Sequence, residues 1–140
     1  MTNSEVRVRL VDGFTGLISA RTHATTVDRR IERGGADLGF TGGELLLAAQ
    51  GGCFMTTLAG AAEARGITLH RVDLIVRGIE EQAPPRYTDV TIEADVEADA
   101  PDEEIDKLLL IAERGCTVSN TLKVGAAIAV SRRALAATAR

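Results

Sequence analysis

An uncharged stretch of eighteen residues, Leu45 to Ala62, constrains the fold of this chain more than any other feature. Its Leu, Ala and Phe residues favour a helix, and Gly66 follows it where a glycine commonly ends one. Gln50 and the two glycines after it make the stretch too polar for a membrane span, which needs about 20 predominantly apolar residues. We therefore predict a central helix over 44–65, apolar and buried on all sides, with no membrane contact.

The segments on either side of this helix alternate between apolar and polar residues, as strands do. A glycine-rich loop of sixteen residues, 28–43, precedes the helix, and loops of that length are often functional. The order of elements predicts one α+β domain over residues 1–140. The predicted strands are 6–11, 17–27, 72–80, 88–98 and 124–130, and the predicted later helices are 101–115 and 116–122.

Composition excludes several classes of function. With 45% hydrophobic and 26% charged residues the chain has the composition of a globular protein, and its net charge of −4 gives no basic surface for nucleic acid. His23 and His70 are the only histidines, and their spacing from the cysteines is not typical of a metal site, so we expect neither a metal nor another cofactor. The N-terminus lacks a signal-peptide pattern, which predicts a cytoplasmic protein.

Two cysteines, Cys53 and Cys116, are the candidate reactive groups. Cys53 lies within the apolar helix, so it would need a cation from another element to become a thiolate, and the loop arginines and Arg21 are candidates. Glu44 could orient such an arginine. Cys116 lies at a predicted helix start, where backbone N–H groups favour the thiolate. Free cysteines are also common in apolar cores, so inert thiols and a redox pair both remain open from the pattern.

The segments around both cysteines resemble the OsmC/Ohr family, the osmotically inducible and organic hydroperoxide resistance proteins. The helix segment ELLLAAQGGC, which ends at Cys53, is similar to the family's E-L-L-x-A-A-x-x-x-C, and the CTVS that begins at Cys116 is similar to its C-P-V-S. The resemblance implies an OsmC-like fold, with antiparallel sheets packed around a long central helix in an intertwined homodimer. The pair of glycines at Gly34 and Gly35 further resembles the YhfA-like branch of the family.

The resemblance also implies roles for particular residues. Cys53 would attack an organic hydroperoxide, Cys116 would resolve the product as a disulfide, and an external dithiol would reduce that disulfide. Arg33 has the spacing of the family's activating arginine, and Glu44 matches a family glutamate.

The chain departs from the family pattern at three places. Gly43 stands where catalytic members have a glutamate, ten residues before the first cysteine, and Thr41-Gly42 replaces Asn-Pro before it. Thr117 replaces the proline that follows the second cysteine. Two alternatives to a peroxidase therefore stay open. One is a dimer that binds a small hydrophobic or thiol-containing ligand, and the other is a redox sensor.

Overall fold

A computed structural model describes residues 3–133 of the chain. Its elements follow the order strands, helix, strands, helices. The first sheet contains β1 (Arg7–Asp12), β2 (Thr15–Ala20) and β3 (His23–Val27), and the second contains β4 (Leu69–Gln82) and β5 (Pro85–Ala98). The helices are α1 (Gly42–Ala64), α2 (Asp102–Gly115) and α3 (Thr117–Val124).

The first sheet is an antiparallel meander in the order β1-β2-β3. The single strand predicted over 17–27 is two strands, because the chain reverses at Arg21, which has a positive φ of 55°. The turn between β1 and β2 lies at Asp12-Gly13, where Gly13 has a positive φ of 53°. The loop after β3 holds a short 3-10 turn at Ile31–Arg33.

The central helix α1 begins with a capping box. The Thr41 hydroxyl accepts from the Glu44 N–H at 3.1 Å, and the Glu44 carboxylate accepts from the Thr41 N–H at 2.9 Å. The helix ends at Ala64, and Gly66, two residues later, has a positive φ of 65° that directs the chain away from the helix axis. The predicted bounds were therefore correct to within two residues at the start and one at the end.

Burial of α1 differs from the prediction. Of the described residues of this helix, the buried ones are Gln50, Gly51, Phe54, Leu58 and Ala62, which form one stripe. This stripe packs on α2, α3 and β4, while the other faces stay open in the single chain. The prediction of a helix buried on all sides is therefore wrong for one chain. By length and composition alone, α1 would also be able to cross a membrane.

The hairpin of β4 and β5 is the longest pairing in the fold. Along β5 the predicted alternation is confirmed: Val90, Ile92, Ala94 and Val96 are half-buried and the residues between them are exposed. Arg71 bridges the exposed sides of the two strands, with its guanidinium 2.6 Å from the Asp95 carboxylate. The inner face covers a core that contains Phe54, Leu58, Ala62, Leu108, Ala112 and Cys116.

The predicted closing strand 124–130 is wrong. Val124 ends α3, and residues 125–133 have no regular structure. Val124, Ile128 and Val130 are 87%, 89% and 93% exposed. A strand needs a neighbour for its backbone groups, and none of the described elements lies beside this segment. The C-terminal segment 132–140, for which the sequence pattern gives no assignment, lies largely outside the described residues.

Candidate functional site

Cys53 is a free, half-buried thiol in the middle of α1. Its position follows from the helix period, because it lies three residues after Gln50 and one before Phe54, at the edge of the buried stripe. The Thr57 hydroxyl donates to the Cys53 carbonyl at 2.8 Å. The thiol therefore stands between the packed core and the open side of the helix.

Cys116 is a free, fully buried thiol at the junction of α2 and α3. It is the N-cap residue of α3, and its Sγ accepts from the Ser119 N–H at 3.4 Å. The predicted helix start at this cysteine is thus confirmed. Cys53 packs against the buried core that contains Cys116, so the fold brings the two cysteines, from α1 and from the α2–α3 junction, to the same core.

The surroundings of Cys116 favour its thiolate. Burial raises the pKa of the Cys116 thiol, but hydrogen bonds from the Ser119 hydroxyl, the Ser119 N–H, the Cys53 thiol and the Val118 N–H outweigh it, so that the net pKa lies below the ordinary value. These donors are uncharged. The end of a helix therefore activates this thiol without an adjacent cation.

A buried polar pair lies behind Cys116. The Gln50 Nε2 donates to the Ser119 Oγ at 2.6 Å, and both residues are buried, at 7% and 5% exposure. Gln50 Oε1 has no partner within the part of the chain that the structure describes. Sequence reasoning missed both residues. The signal available was a polar residue one helical turn before a cysteine, inside an otherwise apolar stretch.

Glu44 and the loop arginines form a second group of charges. The Arg30 Nη2 lies 3.5 Å from the Glu44 Oε2, and both side chains are about half exposed. The pKa of Glu44 lies below its ordinary value, chiefly because the Thr41 N–H donates to the carboxylate, and Arg30 adds to this. Arg33 lies in the 3-10 turn of the same loop. The structure thus pairs Glu44 with Arg30, three residues from the predicted Arg33.

Asp28 organises this loop. It is 4% exposed and accepts from the Thr15 hydroxyl at 2.8 Å, the Arg29 N–H at 2.7 Å and the Leu38 N–H at 3.2 Å. Burial raises the pKa of Asp28, but these donors outweigh it and the net pKa is lowered. The sequence signal for this role is an aspartate between a strand and a glycine-rich loop, and the sequence analysis overlooked it.

Tyr87 of β5 explains why position 43 is a glycine. A side chain at Gly43 would overlap the Tyr87 hydroxyl, and a Cβ at Gly78 would lie 2.6 Å from the Tyr87 ring. The ring is thus held between two glycines, one on α1 and one on β4. The Tyr87 phenol occupies the space where a side chain at position 43 would begin. A glutamate at this position would therefore require Tyr87 to move.

Gly43→Ala should therefore destabilise the protein, by about 1–3 kcal/mol, because the Tyr87 ring has glycines on both sides and little room to move. Gly42→Ala is the matched control, since a Cβ at Gly42 would meet nothing within 4 Å. Its free energy of unfolding should stay within about 0.5 kcal/mol of the parent value. Urea denaturation of both variants tests this. Equal free energies of unfolding would contradict the placement of the Tyr87 ring between Gly43 and Gly78.

Three of the cavities in the described part of the chain border α1, and neither cysteine is among their lining residues. The first, about 860 Å³, lies between α1, α2, α3 and β5, and Gln50, Phe54, Leu109 and Ser119 are among its lining residues. A second, about 610 Å³, is lined by Arg30, Arg33, Glu44 and Tyr87 among others. The third, about 520 Å³, lies on the open side of α1 beside Gly52 and Met55. Tyr87 lines both of the larger cavities.

No metal centre is built by the described part of the chain. Within residues 3–133, no group of three or more His, Cys, Asp or Glu side chains has the arrangement to hold a metal ion. The chemistry that this geometry offers is that of the thiol pair and the polar groups around it.

Comparison with known proteins identifies the fold. The family model described as OsmC-like protein matches residues 34–131, whereas no curated protein sequence matches the chain. An OsmC-like protein from Mycoplasma pneumoniae has a TM-score of 0.78 and 17% identity, over 87% of this chain and 88% of that one. An organic hydroperoxide resistance protein OsmC from Legionella pneumophila has a TM-score of 0.62 and 16% identity, over 88% and 90%.

The organic hydroperoxide resistance protein OhrB of Bacillus subtilis has a TM-score of 0.61 and 17% identity, over 89% of this chain and 93% of that one. At sequence identities this low, the structural matches show a shared fold. These matches confirm the predicted α+β class and the predicted OsmC-like fold. The family model covers most of the sequence, and the chain therefore belongs to the OsmC-like protein family.

Proposed function

We propose that this protein is a thiol-dependent peroxidase that reduces organic hydroperoxides, with Cys53 as the attacking thiol and Cys116 as the resolving thiol. The observation that carries the proposal is the packing of Cys53 against the buried core that contains Cys116, although the two cysteines are 63 positions apart in sequence and lie on different elements. Two thiols in one core can form a disulfide once a movement of the chain brings their sulfurs into bonding range.

The reaction balances with one external reductant. The Cys53 thiolate attacks the distal oxygen of R–OOH, the O–O bond breaks, and R–OH leaves with a proton while Cys53 becomes a sulfenic acid. The Cys116 thiolate then attacks the Cys53 sulfur, forming the disulfide and releasing water once the departing hydroxide takes a proton. A dithiol outside the protein reduces the disulfide and becomes a disulfide itself.

Differential burial supports this division of roles. Cys53 is half-buried, so a substrate can reach it, whereas Cys116 is fully buried and needs to meet only Cys53. The lowered pKa of Cys116 suits a resolving thiol, which attacks as a thiolate. The apolar residues around Cys53 favour an organic peroxide over hydrogen peroxide. Two structural neighbours are named as organic hydroperoxide resistance proteins, which agrees with this substrate class.

A cation near Cys53 would favour its thiolate, and the loop offers two. Arg30 is paired with Glu44, and Arg33 shares the same cavity. The ion pair favours Arg30 as the activating arginine, with Glu44 orienting it, while Arg33 stays a prediction. Gly34 and Gly35 in this loop support assignment to the YhfA-like branch.

We also propose that the working unit is a homodimer. In one chain, apolar residues stay exposed on β1 and after α3, including Val8 at 66%, Leu10 at 70% and Ile128 at 89%. Exposed apolar surface of this extent is typical of an interaction surface. Sedimentation equilibrium should give twice the chain mass of 14.8 kDa. A mass of one chain at micromolar concentration would exclude the dimer.

The chemistry also leads us to propose that the protein works in the cytoplasm. Two free thiols that must be re-reduced after each turnover suit the cytoplasm, where dithiol reductants are maintained. The external reductant is therefore proposed to be a small dithiol protein or molecule of that compartment.

One observation favours a second candidate function. The cavity of about 860 Å³ is lined by apolar side chains such as Leu46, Phe54 and Leu109 together with polar and charged ones, a mixed lining that suits a small ligand with an apolar body. A dimer that binds such a ligand without reducing peroxide would use this cavity. It would bind apolar molecules with both thiols unchanged.

Steady-state turnover distinguishes the two candidates. Cumene hydroperoxide and hydrogen peroxide are each supplied with excess dithiothreitol, and peroxide loss is followed over the uncatalysed rate. The peroxidase predicts turnover that is faster with cumene hydroperoxide. A folded protein that turns over neither substrate would refute the proposed function and leave the ligand-binding candidate.

A further inference from the structure

Gln50 carries a buried hydrogen-bonding atom that no described residue satisfies. Its side chain is 7% exposed, and its Nε2 donates to the Ser119 Oγ at 2.6 Å. Its Oε1 has no partner among residues 3–133. A buried acceptor without a partner lowers stability, and an apolar side chain of the same length would avoid that loss. The unpaired amide oxygen therefore points to a group from outside the chain that donates to it.

Gln50 lines the buried end of the cavity of about 860 Å³ between α1, α2, α3 and β5. This volume lies within the range of small-molecule sites, roughly 300–1,000 Å³. The buried lining residues are Gln50, Phe54 and Ser119. Half-buried apolar side chains, among them Ile92 and Leu109, form the walls. The fold thus places the unpaired acceptor at the buried end of a cavity, beside apolar side chains.

The charged lining residues lie at the exposed end of the cavity and disfavour an anionic ligand. They are three carboxylates and one ammonium group, all on exposed residues: Asp89, Asp106, Glu113 and Lys123. The Lys123 Nζ is paired with the Glu113 carboxylate at 2.9 Å. A carboxylate or phosphate on a ligand would therefore meet net negative charge. An ammonium group at the buried end would lose its hydration for a single acceptor, so a neutral donor suits Gln50 better.

We propose that this cavity binds a neutral molecule with an apolar body and a hydroxyl group, and that the Gln50 Oε1 accepts the hydrogen bond from that hydroxyl. The Nε2 of the same amide donates to Ser119, which holds the amide in place. The inference deepens the second candidate function and rests on it. It is independent of the peroxidase chemistry, because neither cysteine lines the cavity.

The test compares cinnamyl alcohol with its methyl ether, which keeps the apolar body and removes the donor. Each compound is titrated into isotopically labelled, reduced protein, and its dissociation constant is taken from the NMR shifts of backbone amides. The ratio of the alcohol's affinity to the ether's should be about tenfold higher in the parent than in Gln50→Met, which keeps the side-chain length and removes the amide. The shifted amides should belong to residues that line the cavity.

Gln82→Met is the matched control, because Gln82 is the other glutamine of the chain and is exposed at the end of β4. Its affinity ratio should stay within about twofold of the parent ratio. The melting temperature of Gln50→Met should stay level or rise, since the variant removes an unpaired buried acceptor. Gln50→Leu is the second variant, for use if the methionine variant does not fold.

The outcomes separate this inference from the proposed functions. Binding of both compounds with the same ratio in the parent and in Gln50→Met would refute the role of Gln50 and leave the ligand-binding candidate. Binding of neither compound, or shifts that cluster away from the cavity, would refute both. A tenfold change of the ratio in a protein that turns over no peroxide would support the inference and refute the proposed peroxidase alone.

Discussion

Cys53→Ser should abolish the reaction with organic hydroperoxide, lowering its rate by more than about 10³-fold, because the other thiol of the site, Cys116, is fully buried and out of reach of a substrate. In the proposed reaction, the oxygen atom of the peroxide passes to this sulfur. Reduced protein without added reductant should consume one equivalent of cumene hydroperoxide per chain, and the variant should consume none. Peroxide consumption measured by a ferrous-ion assay checks this.

Cys116→Ser is the matched control, since it removes the other thiol of the proposed pair. It should still consume one equivalent, and it should stop at the Cys53 sulfenic acid without forming a disulfide within the chain. Its turnover with a dithiol should be slower than that of the parent. Equal loss of the first equivalent in both variants would contradict the assigned roles. Retention of activity in Cys53→Ser would contradict the mechanism.

Leu108→Ala should destabilise the protein by about 3–5 kcal/mol, because a fully buried leucine leaves a cavity that its neighbours fill only in part. Leu108 lies on α2 with 0% exposure and packs in the same core as Leu58 of α1 and Cys116. The buried core is small, so its few large side chains carry much of its packing. Urea denaturation at a fixed protein concentration measures the change.

Leu110→Ala provides the control on the same helix, because Leu110 is 45% exposed. Its effect should stay below about 1 kcal/mol. Similar losses in both variants would mean that α2 does not face the core as described. A small loss in Leu108→Ala would contradict the assignment of the core to the α1–α2 contact.

Local signals in the sequence predicted much of the fold. The uncharged stretch and its terminal glycine located α1, and alternation along β5 identified its buried face. Both are properties of consecutive residues. The predicted strand at 124–130 failed because its β-prone residues require a neighbouring strand, which a local pattern does not supply. The prediction that α1 is buried on all sides failed for a similar reason, because burial depends on which elements cover a helix.

The candidate site was predictable to a similar extent. Two cysteines in characteristic segments indicated the thiol pair, and in the structure Cys53 packs against the core that contains Cys116. The pairing of Glu44 with Arg30 depended on the path of a long loop, which Asp28 fixes through hydrogen bonds across the fold. Gln50 and Ser119 are 69 positions apart, so no local pattern could join them.

The most direct test of the proposed mechanism is the mass of the protein after one equivalent of organic hydroperoxide. Reduced protein is mixed with cumene hydroperoxide, the remaining thiols are alkylated under denaturing conditions, and digested peptides are analysed. We expect loss of both free thiols and a cross-linked peptide pair that joins Cys53 to Cys116. Recovery of both cysteines in alkylated form, after prolonged exposure of folded protein to excess peroxide, would contradict the account.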